Sequence, residues 1–276
     1  MKQACCSVIN SDYVSYFKTF MYSLLQHNSD FDMDYIVLCD KDDLTKGDIK
    51  SLNSLYNNFI FRQINLNAYD SMNMSNTKGL RNKTAGSHHF KNGIWSYYRL
   101  DLFLLEEYFK VNWFDVDMLV TGSLGDFFAL RDDDHVLACV DQIGTARTKK
   151  KYASENHYIN AGVVSYGKNL LTEENYFALI DKASSEFETL TLADQTLIIK
   201  TFRDKIKFIN TKFNTHHKIT ISPCRQYPKA DLNNVAIIHY CGSQKPWNYI
   251  NRRSRATSTH QLWLNVYDKM MGGTSL

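Results

Sequence analysis

Two aspartates close an apolar run, Trp113-Phe114-Asp115-Val116-Asp117. In a strand, residues two apart project to the same side, so the carboxylates of Asp115 and Asp117 can converge on one cation, without which their burial beside apolar flanks is costly. Hard carboxylate oxygens suit Mn2+ or Mg2+, the ions that neutralise a diphosphate. A second apolar stretch, Val235 to Ile238, ends in His239-Tyr240-Cys241-Gly242-Ser243-Gln244-Lys245-Pro246-Trp247. An imidazole at such a strand end can complete a Mn2+ site, the glycine lets a backbone approach a phosphate, and the lysine can cover its charge.

These residues must be positioned by the elements around them. Ala4 to Ile9 is short, apolar and β-prone; Asp12 follows as an N-cap, with Val14, Phe17, Met21, Leu24 and Leu25 spaced for one helical face. Tyr35 to Leu38 predicts a second strand, Leu44 to Tyr56 a helix and Phe59 to Ile64 a third strand. Asn65 to Gly93 is a polar loop with a basic stretch from Lys78 to Lys91, of a length usual for a functional lid or an insert. Ile94 to Phe109 predicts a helix carrying Arg99, Val111 to Val120 a strand interrupted by the two aspartates, and Val136 to Val140 another. Tyr158 to Tyr166 is strand-like, Glu173 to Phe187 and Asp194 to Phe202 helical, Val235 to His239 the last strand, and Thr259 to Met270 a terminal amphipathic helix. Strands alternating with helices predict an α/β fold around a mostly parallel sheet, with ligands at the carboxyl ends of its strands.

The bulk composition agrees. With 276 residues, 44% hydrophobic and 22% charged, the chain reads as globular rather than fibrous or disordered. The first residues and the rest of the chain predict neither a signal peptide nor a transmembrane span, which implies a cytoplasmic location. Six scattered cysteines without a CxxC pair read as reduced core thiols. Charge is lopsided: from Thr196 to Leu276 there are 13 lysines and arginines against 3 acids, a net +10. Such a basic end suits an anionic partner or a solvated face.

Five ordered motifs resemble glycosyltransferase family 8, which includes glycogenin and the bacterial lipooligosaccharide galactosyltransferases. They are Tyr97-Tyr98-Arg99-Leu100, Phe114-Asp115-Val116-Asp117, Tyr158-Ile159-Asn160-Ala161-Gly162-Val163, Ala193-Asp194-Gln195, and His239-Tyr240-Cys241-Gly242 through Lys245-Pro246-Trp247. Singly, each has a plain structural reading: Arg99 pairing with Asp101 or Glu106, Asn160 in a bulge, Asp194 as a helix cap. An ordered set covering Ala4 to Trp247 is far more specific than any member.

The resemblance implies a GT-A fold, a single Rossmann-like mixed sheet flanked by helices, with residues 1–247 catalytic and 248–276 a basic, amphipathic extension. It implies that Asp115, Asp117 and His239 hold Mn2+ or Mg2+, and that Gly242 and Lys245 clamp the diphosphate. By the same likeness Asn10, Asp12, Tyr13 and Val116 meet the nucleotide, Arg99, Asn160, Asp194 and Gln195 surround the donor sugar, and the donor is a UDP-sugar. Two departures stand out: Trp113-Phe114, where a smaller pair is common and the effect expected is on packing, and the basic insert Lys78 to Lys91.

Retention of configuration, which the family implies, needs either a covalent intermediate or front-side attack. Gln195 is a poor nucleophile, Asp194 resembles a residue that binds sugar hydroxyls, and no pair of carboxylates of the retaining-glycosidase kind is evident. Front-side attack is therefore favoured, with Asp194 and Gln195 as the catalytic pair. The acceptor fits a saccharide or glycolipid, with peripheral membrane contact, or a hydroxymethylated DNA base. A metal-dependent phosphoesterase and a non-catalytic nucleotide-sugar-binding protein are the rival classes; the first leaves Asn160, Asp194, Gln195 and Lys245 without a task.

Overall fold

The computed structural model describes residues 2–70, 72, 93–143, 158–223 and 228–272. The basic stretch Lys78 to Lys91 and Cys224 lie outside the described residues. Strand β1 (Gln3–Val8), helix α1 (Val14–His27), strand β2 (Asp34–Cys39), helix α2 (Lys46–Asn53) and strand β3 (Phe59–Gln63) form the first half. Apolar α1 positions Phe17, Phe20, Met21 and Leu24, three or four apart, are fully buried. Thr45 starts α2 with a reciprocal capping box to Asp48. Asp12 is not the expected cap: it is exposed in a 3-10 turn, Ser11–Tyr13, and α1 begins after it at Val14.

Strands β4 (Lys110–Phe114), β6 (Val136–Val140), β7 (Ile159–Gly167) and β8 (Ile206–Ile209) complete a seven-stranded sheet in the order β3-β2-β1-β4-β7-β6-β8. Strand β7 runs antiparallel to both β4 and β6, and the other neighbours are parallel. The sheet is mixed α/β, as expected. Successive residues of β1 divide between two cores: Cys5 joins α1's Phe17 and Phe20, whereas Ala4 and Cys6 join Leu100, Phe103, Leu179 and Leu197 on the other face. The last two come from helices α3 (Glu173–Ser185) and α4 (Asp194–Thr201). Helices therefore cover both faces.

The expected strand Val111 to Val120 is interrupted at the aspartates, as read, but its two parts lie in different sheets. Beyond Phe114 the chain leaves the large sheet, and β5 (Met118–Val120) pairs instead with β10 (Ile237–His239), which pairs with β9 (Thr215–His216). Asp115, Val116 and Asp117 form the joint, so strand alternation is not what brings the carboxylates together. Arg99 lies on a 3-10 run, Gly93–Leu104, shorter and more tightly wound than the helix expected to Phe109.

Helix α5 (Ser258–Met270) buries Trp263 and Leu264 completely, in a cluster with Leu119, Ile238 and Tyr240. The terminal segment is thus docked on the second sheet. The five described cysteines are free, and burial raises the thiol pKa of Cys5, Cys6 and Cys139. Among the described residues no helix is long and apolar enough to cross a membrane.

Candidate active site

Strand order reverses beside β1, whose neighbours are β2 and β4, and a crevice at the strands' carboxyl ends is where such sheets bind ligands. The Asp115-Val116-Asp117 joint sits there. Its first residue donates its N–H to Gly162 O at 2.9 Å, and Asp117 O accepts the N–H of Tyr240 at 2.9 Å. These bonds fasten one end of the joint to β7 and the other to the end of β10. As a result ligand atoms of Asp115, Asp117 and His239 lie within 4.8 Å of one another. His239 Nε2 is 3.2 Å from Asp117 Oδ1 and 3.6 Å from Asp115 Oδ2.

Two carboxylates and an imidazole fit a divalent cation. The second nitrogen of the ring supports that fit: His239 Nδ1 is 2.9 Å from Asn214 Oδ1, which only accepts, so the proton sits on Nδ1 and the Nε2 lone pair is left for a cation. Burial disfavours a charged His239, but the neighbouring Cys241 and Asp117 side chains outweigh it and raise its pKa well above the usual value. Without a cation a second proton therefore sits on Nε2, and a cation must displace it, so its affinity rises with pH. Gly162 is also accounted for: a Cβ there would stand 2.2 Å from His239 Cε1 and 2.8 Å from Met118 Cε.

Asp117 is 8% exposed; burial would raise its pKa, but Lys245 and His239 hold it well below the carboxylate range. The Lys245 ammonium pairs with Asp117 and donates to Tyr240 O at 2.9 Å. Gly242 has a φ of +89°, in the left-handed region, and among the described residues none beyond its chain neighbours comes within 4 Å of where its Cβ would be.

The expected sugar-side residues also assemble. The guanidinium of Arg99, 3% exposed, donates to Asp194 Oδ2 at 2.8 Å and Ala161 O at 2.9 Å. It lies 4.3 Å from the centre of the Trp113 ring. Arg99 therefore pairs with Asp194, not with Asp101 or Glu106, and is buried behind it. Gln195 Oε1 accepts from Ala161 N at 3.1 Å, while its amide donates to Asp141 Oδ2 at 3.3 Å. Asn160 Oδ1 accepts from Gly162 N at 3.0 Å. Trp113, expected to matter for packing, also donates its indole N–H to Asp115 Oδ1 at 2.8 Å.

At the other end of the site, Asn10 Oδ1 is buried with no hydrogen-bond partner, and Tyr13 is 40% exposed. Tyr13 meets Trp247 edge-on at 5.9 Å, and Trp247 stacks on Tyr16 at 4.3 Å. Val116 is half-buried. Sequence reasoning missed Asn214 and Asp141, which carry no spacing signal of their own.

A mixed seven-stranded sheet with a cation-competent joint at its reversal point defines a GT-A fold. The solved galactosyltransferase LgtC, in complex with donor and acceptor sugar analogs, shares it: the TM-score is 0.73 at 19% identity, covering 100% of this chain and 97% of that one. Glycosyltransferase GlyE of Streptococcus pneumoniae TIGR4 matches with a TM-score of 0.64 at 18% identity, over 98% of this chain and 63% of that one. The chain belongs to glycosyl transferase family 8, whose sequence pattern it matches over residues 4–251. Galactinol synthase 7 of Arabidopsis thaliana is 26% identical over 203 residues, 63% of this chain and 59% of that protein. The lipopolysaccharide 1,3-galactosyltransferase of Salmonella typhimurium is 24% identical over 173 residues, 56% of this chain and 50% of that protein. The matches span 59% of the plant synthase but 19% of glycosyltransferase GlyA of Streptococcus pneumoniae, so the chain covers only part of these curated relatives.

Proposed function

We propose that the protein is a retaining, metal-dependent glycosyltransferase that moves a hexose or pentose from a UDP-sugar to a hydroxyl of a saccharide or glycolipid. The observation that carries this reading is the convergence of Asp115, Asp117 and His239 beside Lys245. A phosphoesterase leaves the adjoining Arg99, Asp194, Gln195 and Asn160 group idle. Mn2+, or Mg2+, held by those three ligands supplies a Lewis acid that stabilises charge on the departing diphosphate. Lys245 adds a second positive charge, and Gly242 lets the backbone approach the phosphates.

The unpartnered Asn10 oxygen and the exposed Tyr13 ring, together with Asp12 and Val116, hold the nucleoside. Asn160 and Asp194 bond sugar hydroxyls. Arg99 fixes Asp194 from behind without touching the sugar, which its burial supports. Gln195, an amide held at both ends, lines the sugar's far face and leaves the near face to the incoming hydroxyl. This supports front-side attack.

The acceptor is anionic, met by the exposed Arg252 and Arg255. The relatives' names favour a saccharide or glycolipid over a hydroxymethylated DNA base. The reading places the protein in the cytoplasm, in passing contact with a membrane surface. The test is a panel of UDP-sugars with Mn2+ and phosphorylated or neutral oligosaccharide acceptors, with the product anomer read by NMR. Transfer with the donor's configuration kept is expected; an inverted product, or phosphate ester cleavage without transfer, contradicts the proposal.

A further inference from the structure

Asn214 is 3% exposed and follows the short 3-10 turn Thr211–Phe213, just before β9. Each half of its amide is used. The oxygen accepts from His239 Nδ1 at 2.9 Å. The nitrogen donates to Asn160 Oδ1 at 2.9 Å and to Asn160 O at 3.4 Å. An amide has one accepting and one donating end, so the two contacts fix each other: with Nδ2 turned to the Asn160 oxygens, Oδ1 must face the imidazole. The ring can then offer Nε2 alone to Asp115 and Asp117.

The same logic continues through Asn160. Its Oδ1 accepts twice, from Asn214 Nδ2 and from Gly162 N at 3.0 Å. Its own Nδ2 is thereby left pointing away from both, toward Cys241 Sγ at 3.7 Å. From this chain of contacts we infer that Asn214 is a positioning residue with two outputs: it sets the tautomer of His239 for the cation, and it orients Asn160 as a donor. The inference rests on reading Asp115, Asp117 and His239 as metal ligands. It goes beyond that reading by assigning the group that prepares the ring. Outer partners of ligating histidines typically set metal affinity by about 10–100-fold.

The experiment measures Mn2+ binding directly by electron paramagnetic resonance, on folded protein checked by circular dichroism. Asn214→Leu, similar in size and unable to bond, should weaken Mn2+ binding by about 10–100-fold. Asn214→Asp keeps an acceptor for Nδ1, so its Mn2+ affinity should stay near that of the unaltered protein even if the leucine variant does not fold. Asn214→Asp also loses the donor that faces Asn160, so turnover of UDP-sugar should fall while Mn2+ binding persists. That split separates positioning from packing, because a packing role would lower both together. Equal loss of Mn2+ binding in the two variants, or no loss in Asn214→Leu, overturns the inference while leaving the proposed function intact. Failure of the unaltered protein to bind Mn2+ overturns both.

Discussion

Lys245 pairs with one anion in the folded chain and is proposed to meet a second, the diphosphate. It pairs with Asp117 and donates to Tyr240 O, two residues before Gly242. Removing it with Lys245→Ala should lower kcat/KM by about 1.5–3 kcal/mol, the worth of a charge-assisted bond; unchanged steady-state kinetics would exclude it from the diphosphate clamp. Asp194 gives a pH signature. Burial, aided by the charge of Asp115 and opposed by Arg99, pushes its carboxyl up to about 6 from 3.8. The folded protein then keeps a proton that the unfolded chain releases in this window, so stability should fall as pH rises from about 4 to 6, by at most about 3 kcal/mol. Urea denaturation of the metal-free protein reads this directly, and Asp194→Asn should flatten the profile; a variant with the same slope would show that another group is responsible. Asp115, Asp117 and His239 were legible because carboxylates and an imidazole at the ends of apolar runs have few structural uses. Asn214 was not legible: an asparagine in a polar connection looks the same whether it bonds water or a ligand's ring.

Helix α4 starts from a strained residue. Ala193 has φ 47° and ψ −124°, and it is the one non-glycine residue with positive φ among the described residues. Such a conformation costs about 1–3 kcal/mol, and in exchange it sets the angle at which Asp194 and Gln195 enter the site. Ala193→Gly removes the strain but adds freedom to the unfolded chain worth about 0.4–1 kcal/mol. A net gain of about 1 kcal/mol in urea melts is expected, with lower turnover as the helix start loosens; destabilisation would mean that the alanine methyl packs more than it strains. The first βαβ units were plain in the sequence, since hydrophobic periodicity switches cleanly between β1, α1 and β2. The aspartates marked an interruption between Val111 and Val120, but not the change of sheet between β4 and β5, because the run has no proline or glycine to mark a turn away. Strands β8 and β9 escaped notice for a different reason. They are four and two residues long and only partly buried, so pairing with β6 and β10 makes them strands, not their own pattern.

The charge asymmetry along the chain has a partial structural answer. Arg253 forms a two-pronged ion pair with Asp268 of α5, at 2.7 and 2.6 Å, whereas Arg252 and Arg255 are exposed. An Arg252→Ala/Arg255→Ala variant should raise KM for an anionic acceptor and weaken its salt dependence, with donor KM unchanged. An identical salt response in the variant would move the anion contact elsewhere. The sequence showed the excess of positive charge but not which arginines were already paired, because Asp268 approaches from a helix fifteen residues further on. A cation held by Asp115, Asp117 and His239 is central to the proposed chemistry. Its most direct test is the thermal unfolding of the protein with UDP, in Mn2+ and in EDTA, beside Asp117→Asn. At about 100 Kd of UDP, about 2.7 kcal/mol of stabilisation is expected in Mn2+, and little in EDTA or in the variant. Equal stabilisation by UDP in Mn2+, in EDTA and in Asp117→Asn would contradict it.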